Sequence, residues 1–191
     1  MESSYVPAIP GLRYLPDYLD QEKHDRLLFA ANAHGWKYAG ARRAQIYGYS
    51  YSHVKGGIYR VDDLPEWAVE VAQRLWRDGL MPHVSDQMVA NEYQPGTGIF
   101  SHVDARVFDD TIVSVSLGSP CVMQFTEPDS GRQEDLLVEP RSVLVFAGEA
   151  RQKWKHGISA RSEDVWMDQV LLRGTRVSLT FRKMLRTEGM A

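Results

Sequence analysis

The sequence predicts an α+β, mainly β fold: a jelly-roll (double-stranded β-helix) core in the C-terminal part, with helices and a loop-rich lid before it. Three observations carry this. From about residue 86 the chain breaks into short β-prone runs separated by closely spaced turns. Two segments before residue 85 have apolar residues at helical spacing. The segment RVSLTFR (176–182) alternates polar and apolar residues, as a strand covered differently on its two faces must. We expect one domain over 1–191, with helices and lid in about 1–85 and the jelly-roll core in about 86–185.

Taken in order, Asp20 is placed to cap a first helix whose apolar stripe is Leu27, Leu28 and Ala31. The piece GARRAQIYGYSYSHVKGG (40–57) is rich in Gly, Tyr, Arg and Ser, and reads as an exposed loop or short hairpin. A second helix is expected from Pro65 to Asp78, stopped by Gly79, with Val69, Ala72, Leu75 and Trp76 on one face. Strands follow at DQMVANEY, TIVSVSL, VMQFTE, DLLVE, SVLVFAG and VSLTFRK. PGTG (95–98), GSP (118–120), PDSGR (128–132) and EPR (139–141) divide them.

Composition narrows the functional classes. The 191 residues carry 43% hydrophobic and 25% charged side chains, as soluble globular chains do, and no apolar run approaches the ~18 residues of a spanning helix. A net charge of -3 argues against holding nucleic acid by bulk charge, so such binding would need a local site. Cys121 is the sole cysteine; it forms no internal disulfide, suits a reducing, cytoplasmic setting and reads as a small buried hydrophobe. His24, His34, His53 and His83 lack partner spacing and read as surface or capping residues, and the five tryptophans as packing residues.

The residues able to carry chemistry are few. His102 and Asp104 form an H-x-D pair directly after PGTG, and alternate residues of an extended strand share a side. A later strand could bring His156, in WKHGI, alongside. Two imidazoles and one carboxylate leave open positions on an ion and suit a non-haem Fe(II) oxygenase. By itself an H-x-D arises often by chance; the ordered series of Asn91, Tyr93, PGTG, H-x-D, a distant histidine and two arginines strengthens it. Arg176, Ser178, Thr180 and Arg182 share one strand face, opposite Val177, Leu179 and Phe181. Without the rest, that polar face would read as a solvated strand.

N-x-Y-x-P-G-x-G-I-x-x-H-x-D, followed by H-G-I and R-x-S-L-T-F-R, resembles the AlkB family of 2-oxoglutarate-dependent dioxygenases over roughly residues 40–185. The resemblance implies Fe(II) held by His102, Asp104 and His156, with 2-oxoglutarate and O2 as cosubstrates. It implies that Arg176 pairs with the distal carboxylate of 2-oxoglutarate and that Asn91, Tyr93 and Arg182 complete its pocket, Ser178 standing where repair enzymes commonly have Asn. The strings GTGIFSHVDA, IVSVSLGS and EPRSVLVFAGEAR look most like the tRNA-modifying branch and another, poorly assigned eukaryotic branch. Relatives in the tRNA branch add an RNA-recognition module and a methyltransferase domain, and this chain resembles their oxygenase domain alone.

RRAQIYGYSYS is similar to the family's nucleotide-recognition lid. That likeness makes Arg42, Arg43, Tyr47, Tyr49 and Tyr51 candidate substrate residues, through stacking on a flipped base and contacts to phosphate. Arg42 falls near the place of an aromatic residue that covers the base in DNA-repair relatives. The implied activity is oxidative demethylation of alkylated bases in single-stranded DNA or RNA, as in DNA repair, by a monomer. Hydroxylation of a modified wobble uridine in tRNA and oxidation of a protein side chain are the alternatives.

Overall fold

Alternation along residues 176–182 organises the molecule, because one face of that strand is aliphatic and the other carries two guanidiniums. The computed structural model describes residues 7–52 and 57–185. The chain runs through β1 (Leu12–Leu15), α1 (Gln21–Asn32), β2 (Lys37–Ala39), β3 (Arg42–Tyr47), β4 (Tyr49–Ser52), β5 (Gly57–Arg60) and α2 (Glu66–Arg77). It continues through β6 (Gln87–Tyr93), β7 (Ile99–His102), β8 (Ile112–Gly118), β9 (Cys121–Thr126), β10 (Gln133–Val138) and β11 (Val143–Phe146). The last elements are α3 (Gly148–Gln152), β12 (Lys155–Ile158), β13 (Glu163–Trp166), β14 (Gln169–Leu172) and β15 (Arg176–Arg182). Among the described residues no helix is long and apolar enough to cross a membrane.

Seven strands form an antiparallel major sheet in the order β1-β11-β8-β15-β6-β3-β2, and four form a minor sheet, β10-β9-β12-β7. They make a jelly-roll core. Val177, Leu179 and Phe181 of β15 join Val113, Val115 and Leu117 of β8 under the helices, where Leu27, Ala68, Ala72 and Leu75 cover them. Each such large side chain contributes about 1.5–3 kcal/mol by leaving water. A second cluster, including Ile112, Phe125, Leu136, Phe146 and Trp154, fills the space between the two sheets.

The helices depart from expectation in instructive ways. Asp20 does cap α1, its carboxylate accepting from the Lys23 amide at 2.8 Å. His24, expected at the surface, is buried, and its Nε2 accepts a hydrogen bond from the Gly118 amide at 3.0 Å, tying α1 to the end of β8. On α2, Pro65 is the N-cap, and the buried face is Ala68, Val71, Ala72 and Leu75. Val69 and Trp76, expected on the buried face, are exposed, and Ala68 and Val71 are buried in their place. Trp76 is therefore no packing residue. The largest correction concerns residues 40–57: β3 is an inner strand hydrogen-bonded to β6 and β2, while β4 and β5 form the expected hairpin. His53 lies outside the described residues.

Candidate metal and cosubstrate site

β7 and β12 lie side by side with His102 directly opposite His156, their ring centroids 4.6 Å apart. Two glycines make this approach possible. A Cβ on Gly157 would stand 2.9 Å from the Ser101 backbone, and one on Gly98 would stand 2.1 Å from the Ile158 carbonyl oxygen. Asp104 comes from the loop just beyond β7, so the H-x-D pair straddles the strand end. The three residues bring one ligand atom each within 4.8 Å of one another.

Their chemistry fits a divalent ion. The Nδ1 of His102 donates to the Phe100 carbonyl oxygen at 2.8 Å, which leaves Nε2 with its lone pair free for a metal. Burial lowers the His156 imidazole to about 4 against the opposing pull of Asp104, so at neutral pH the ring is uncharged and able to ligate. Its Nδ1 is buried without a hydrogen-bond partner among the described residues. Burial alone would raise the Asp104 carboxyl, yet Arg182, His156 and His102 together hold it at about 2.

Two arginines position Asp104. Arg182, from β15, donates through Nη2 to Asp104 Oδ1 at 2.6 Å, leaving Oδ2 toward His156 Nε2 at 3.8 Å. Arg182 therefore touches the carboxylate of the candidate metal trio as well as lining the cavity. Arg151 of α3, which sequence reasoning missed, is 5% exposed and donates to the carbonyls of Asp104 (2.9 Å) and Ala105 (2.7 Å), with longer contacts to Phe108 and Asp109. Its position five residues before His156 was visible; its inward direction, toward four carbonyls remote in sequence, was not.

A cavity of about 220 Å³ opens over this trio between the sheets, and Asn91, Tyr93, Arg176 and Ser178 line it as well. Arg176 is 3% exposed and donates through Nη2 to Ser116 Oγ at 3.0 Å, while its Nε has no hydrogen-bond partner among the described residues. A buried guanidinium lacking a carboxylate is costly unless an anion completes it, and its forked donors match a carboxylate. The donor set thus fits both an ion and a carboxylate-bearing cosubstrate. Ser114, Ser116 and Thr180 are further polar residues on this sheet face, of which the sequence reading singled out only Thr180.

The five lid candidates do not form one surface. Arg42 lines the cavity and donates from Nε to Asn91 Oδ1 at 2.8 Å. Arg43 points to the opposite face of β3 and forms a two-bond ion pair with buried Glu92, at 2.6 and 2.8 Å. Tyr47 shares that face, is buried in the helix-side core and donates to Gln45 Oε1 at 3.2 Å. Strand alternation, hidden when the segment is read as a loop, separates Arg42 from these two. Tyr49 packs partly buried against the inter-sheet cluster, and the side chain of Tyr51 lies outside the described residues.

Two histidines and one carboxylate gathered within a jelly roll are the donor set that suits a non-haem iron oxygenase. The sequence matches the 2OG-Fe(II) oxygenase superfamily over residues 31–182, and the chain belongs to that superfamily, as an AlkB-type member. Fe(II), 2-oxoglutarate and O2 are accordingly its cofactor and cosubstrates. It is 32% identical, over 92% of its length, to the "Alkylated DNA repair protein ALKBH8 homolog" of Arabidopsis thaliana, of which it covers 59%. It is likewise 32% identical, over 93% of its length, to the "tRNA (carboxymethyluridine(34)-5-O)-methyltransferase ALKBH8" of Macaca fascicularis, spanning 31% of that protein. The solved structure of OsALKBH1 superposes with a TM-score of 0.67 at 17% identity, covering 93% of this chain and 100% of that one, which shows the shared fold.

Proposed function

We propose that the chain oxidatively demethylates alkylated bases in single-stranded DNA or RNA. The observation that carries the chemistry is a single cavity with three candidate ligand side chains at one end and, at the other, Arg176, which has no carboxylate partner among the described residues. Bound iron supplies the O2 activation that couples oxidative decarboxylation of 2-oxoglutarate, to succinate and CO2, with insertion of one oxygen atom into a C–H bond. His102, Asp104 and His156 would hold the ion, Arg182 fixing one carboxylate oxygen of Asp104 and Arg151 the loop behind it. Arg176, with Asn91, Tyr93 and Ser178, would orient the cosubstrate from its distal end. A methyl on a base nitrogen becomes a hydroxymethyl, whose N–C bond then breaks: the electron pair returns to the ring nitrogen, the hydroxyl proton is released, and the carbon departs as formaldehyde. The substrate reading is supported by the name of the Arabidopsis relative.

Hydroxylation of a modified wobble uridine is the second reading, favoured by the tRNA activity in the name of the macaque relative. The two differ in product. Purified protein is incubated with Fe(II), 2-oxoglutarate, ascorbate and a panel of methylated oligonucleotides, modified tRNA and peptides, and the products are weighed. Demethylation predicts loss of a methyl from 1-methyladenine or 3-methylcytosine with formaldehyde equal to succinate. A gain of one oxygen on tRNA without formaldehyde would replace it with the second reading. Turnover of peptides alone would exclude both.

A further inference from the structure

Arg42 was read from the sequence as a substrate residue at the mouth of the site, but the sheet register places it deeper. On one side of β6, Arg176 of β15 stands opposite Tyr93. On the other side, β3 pairs Ala44 with Asn91 and Arg43 with Glu92, so the next residue, Arg42, is level with Tyr93 as well. Two guanidiniums therefore flank one buried phenol from neighbouring strands. All three line the cavity, with the Arg176 guanidinium 5.5 Å from the centre of the Tyr93 ring; burial pushes the Tyr93 hydroxyl up, and the charges of Arg176 and Arg42 pull it back.

The charge around them is unbalanced. Arg43, Arg173 and Arg182 each have a carboxylate oxygen at 2.6 Å. Neither Arg42 nor Arg176 has a carboxylate partner among the described residues; Arg42 is held by Asn91 Oδ1 and Arg176 by Ser116 Oγ. Like charges gathered in a low-dielectric cavity repel each other, and an anion between them removes that cost.

We propose that Arg42 is a second anchor for the distal carboxylate of the cosubstrate, so that the pocket grips this group between guanidiniums from β3 and β15. Asn91 then has a defined part, orienting Arg42 through its side-chain oxygen. The inference rests on reading Arg176 as the first anchor. It moves Arg42 from nucleic-acid recognition to selection of a 2-oxo dicarboxylate over a 2-oxo monocarboxylate.

The experiment is calorimetric binding to the anaerobic, Mn(II)-loaded protein with no nucleic acid present, using 2-oxoglutarate and, as the ligand lacking the distal carboxylate, 2-oxobutyrate. Arg42→Gln is expected to weaken 2-oxoglutarate by about ten- to a hundredfold, the loss of a charge-assisted hydrogen bond, and to leave 2-oxobutyrate nearly unchanged. Arg42→Lys should recover part of the loss, and Arg43→Gln, which alters the other face of the same strand, should leave both ligands at wild-type affinity. Wild-type affinity of Arg42→Gln for 2-oxoglutarate overturns the proposal, as does an equal loss of both ligands, which would signify general damage to the pocket. If Arg176→Gln also binds 2-oxoglutarate normally, the underlying reading of Arg176 fails; if Arg176→Gln alone loses it, only the role of Arg42 fails.

Discussion

The two faces of β15 divide the labour of the molecule. Facing the helices, Val177, Leu179 and Phe181 are fully buried among aliphatic neighbours. Facing the minor sheet, Arg176 and Ser178 are nearly as buried, yet the Nε atoms of Arg176 and Arg182 have no hydrogen-bond partner among the described residues. Equal burial thus has opposite meanings. On the apolar face it stabilises the fold, and on the polar face it holds cations out of water in readiness for anions. Stability and function should therefore respond separately to substitutions only a residue apart.

The largest effect belongs to the cavity side: Asp104→Ala should reduce iron-dependent succinate formation to background and abolish Mn(II) binding by calorimetry, with the thermal transition retained. Removal of metal by a chelator should do the same to the wild-type protein, reversibly. On the helix side, Phe181→Ala should cost about 3–5 kcal/mol in urea unfolding through the cavity it leaves. Its surviving folded fraction should bind metal normally; a matched loss of metal affinity would erase the division between faces. The smallest effect tests the support behind the ligands. Arg151→Met should weaken Mn(II) by about ten- to a hundredfold, the usual consequence of removing a group that orients a ligand. The intensity of the Co(II) visible spectrum should change with it, reporting altered coordination rather than lost stability.

Much of this division could be read before any coordinates, because period-two alternation states directly that Arg176 and Arg182 lie opposite Leu179. β6, β8, β9, β10, β11 and β15 are marked by turns and β-branched runs, and His102, Asp104 and His156 by an ordered motif, whereas the β13–β14 hairpin goes unread. What escaped were features set by partners distant in sequence. β3 looks like a polar loop in isolation and becomes an inner strand only because β6 and β2 take its hydrogen bonds. Arg43 and Tyr47 looked like lid residues until pairing fixed which way each points. His24 lacked metal-ligand spacing, and its partner proved to be a backbone amide 94 residues away. Arg151 and Ser116 belong to the same class: their roles depend on carbonyls and a guanidinium that no local pattern announces.

The opposition of His102 and His156 also has a mechanical side. Among the described residues β7 is the outermost strand of the minor sheet, paired with β12 alone, and its register with β12 shifts between His156 and Ile158. An ion held by this cross-strand pair would add a rung to a short ladder, at a place where the register is irregular. By mass action, metal at a hundred times its dissociation constant stabilises the folded state by about 2.7 kcal/mol. Loading the centre and fastening this rim of the jelly roll would then be one equilibrium, with the ion acting as architecture as well as cofactor.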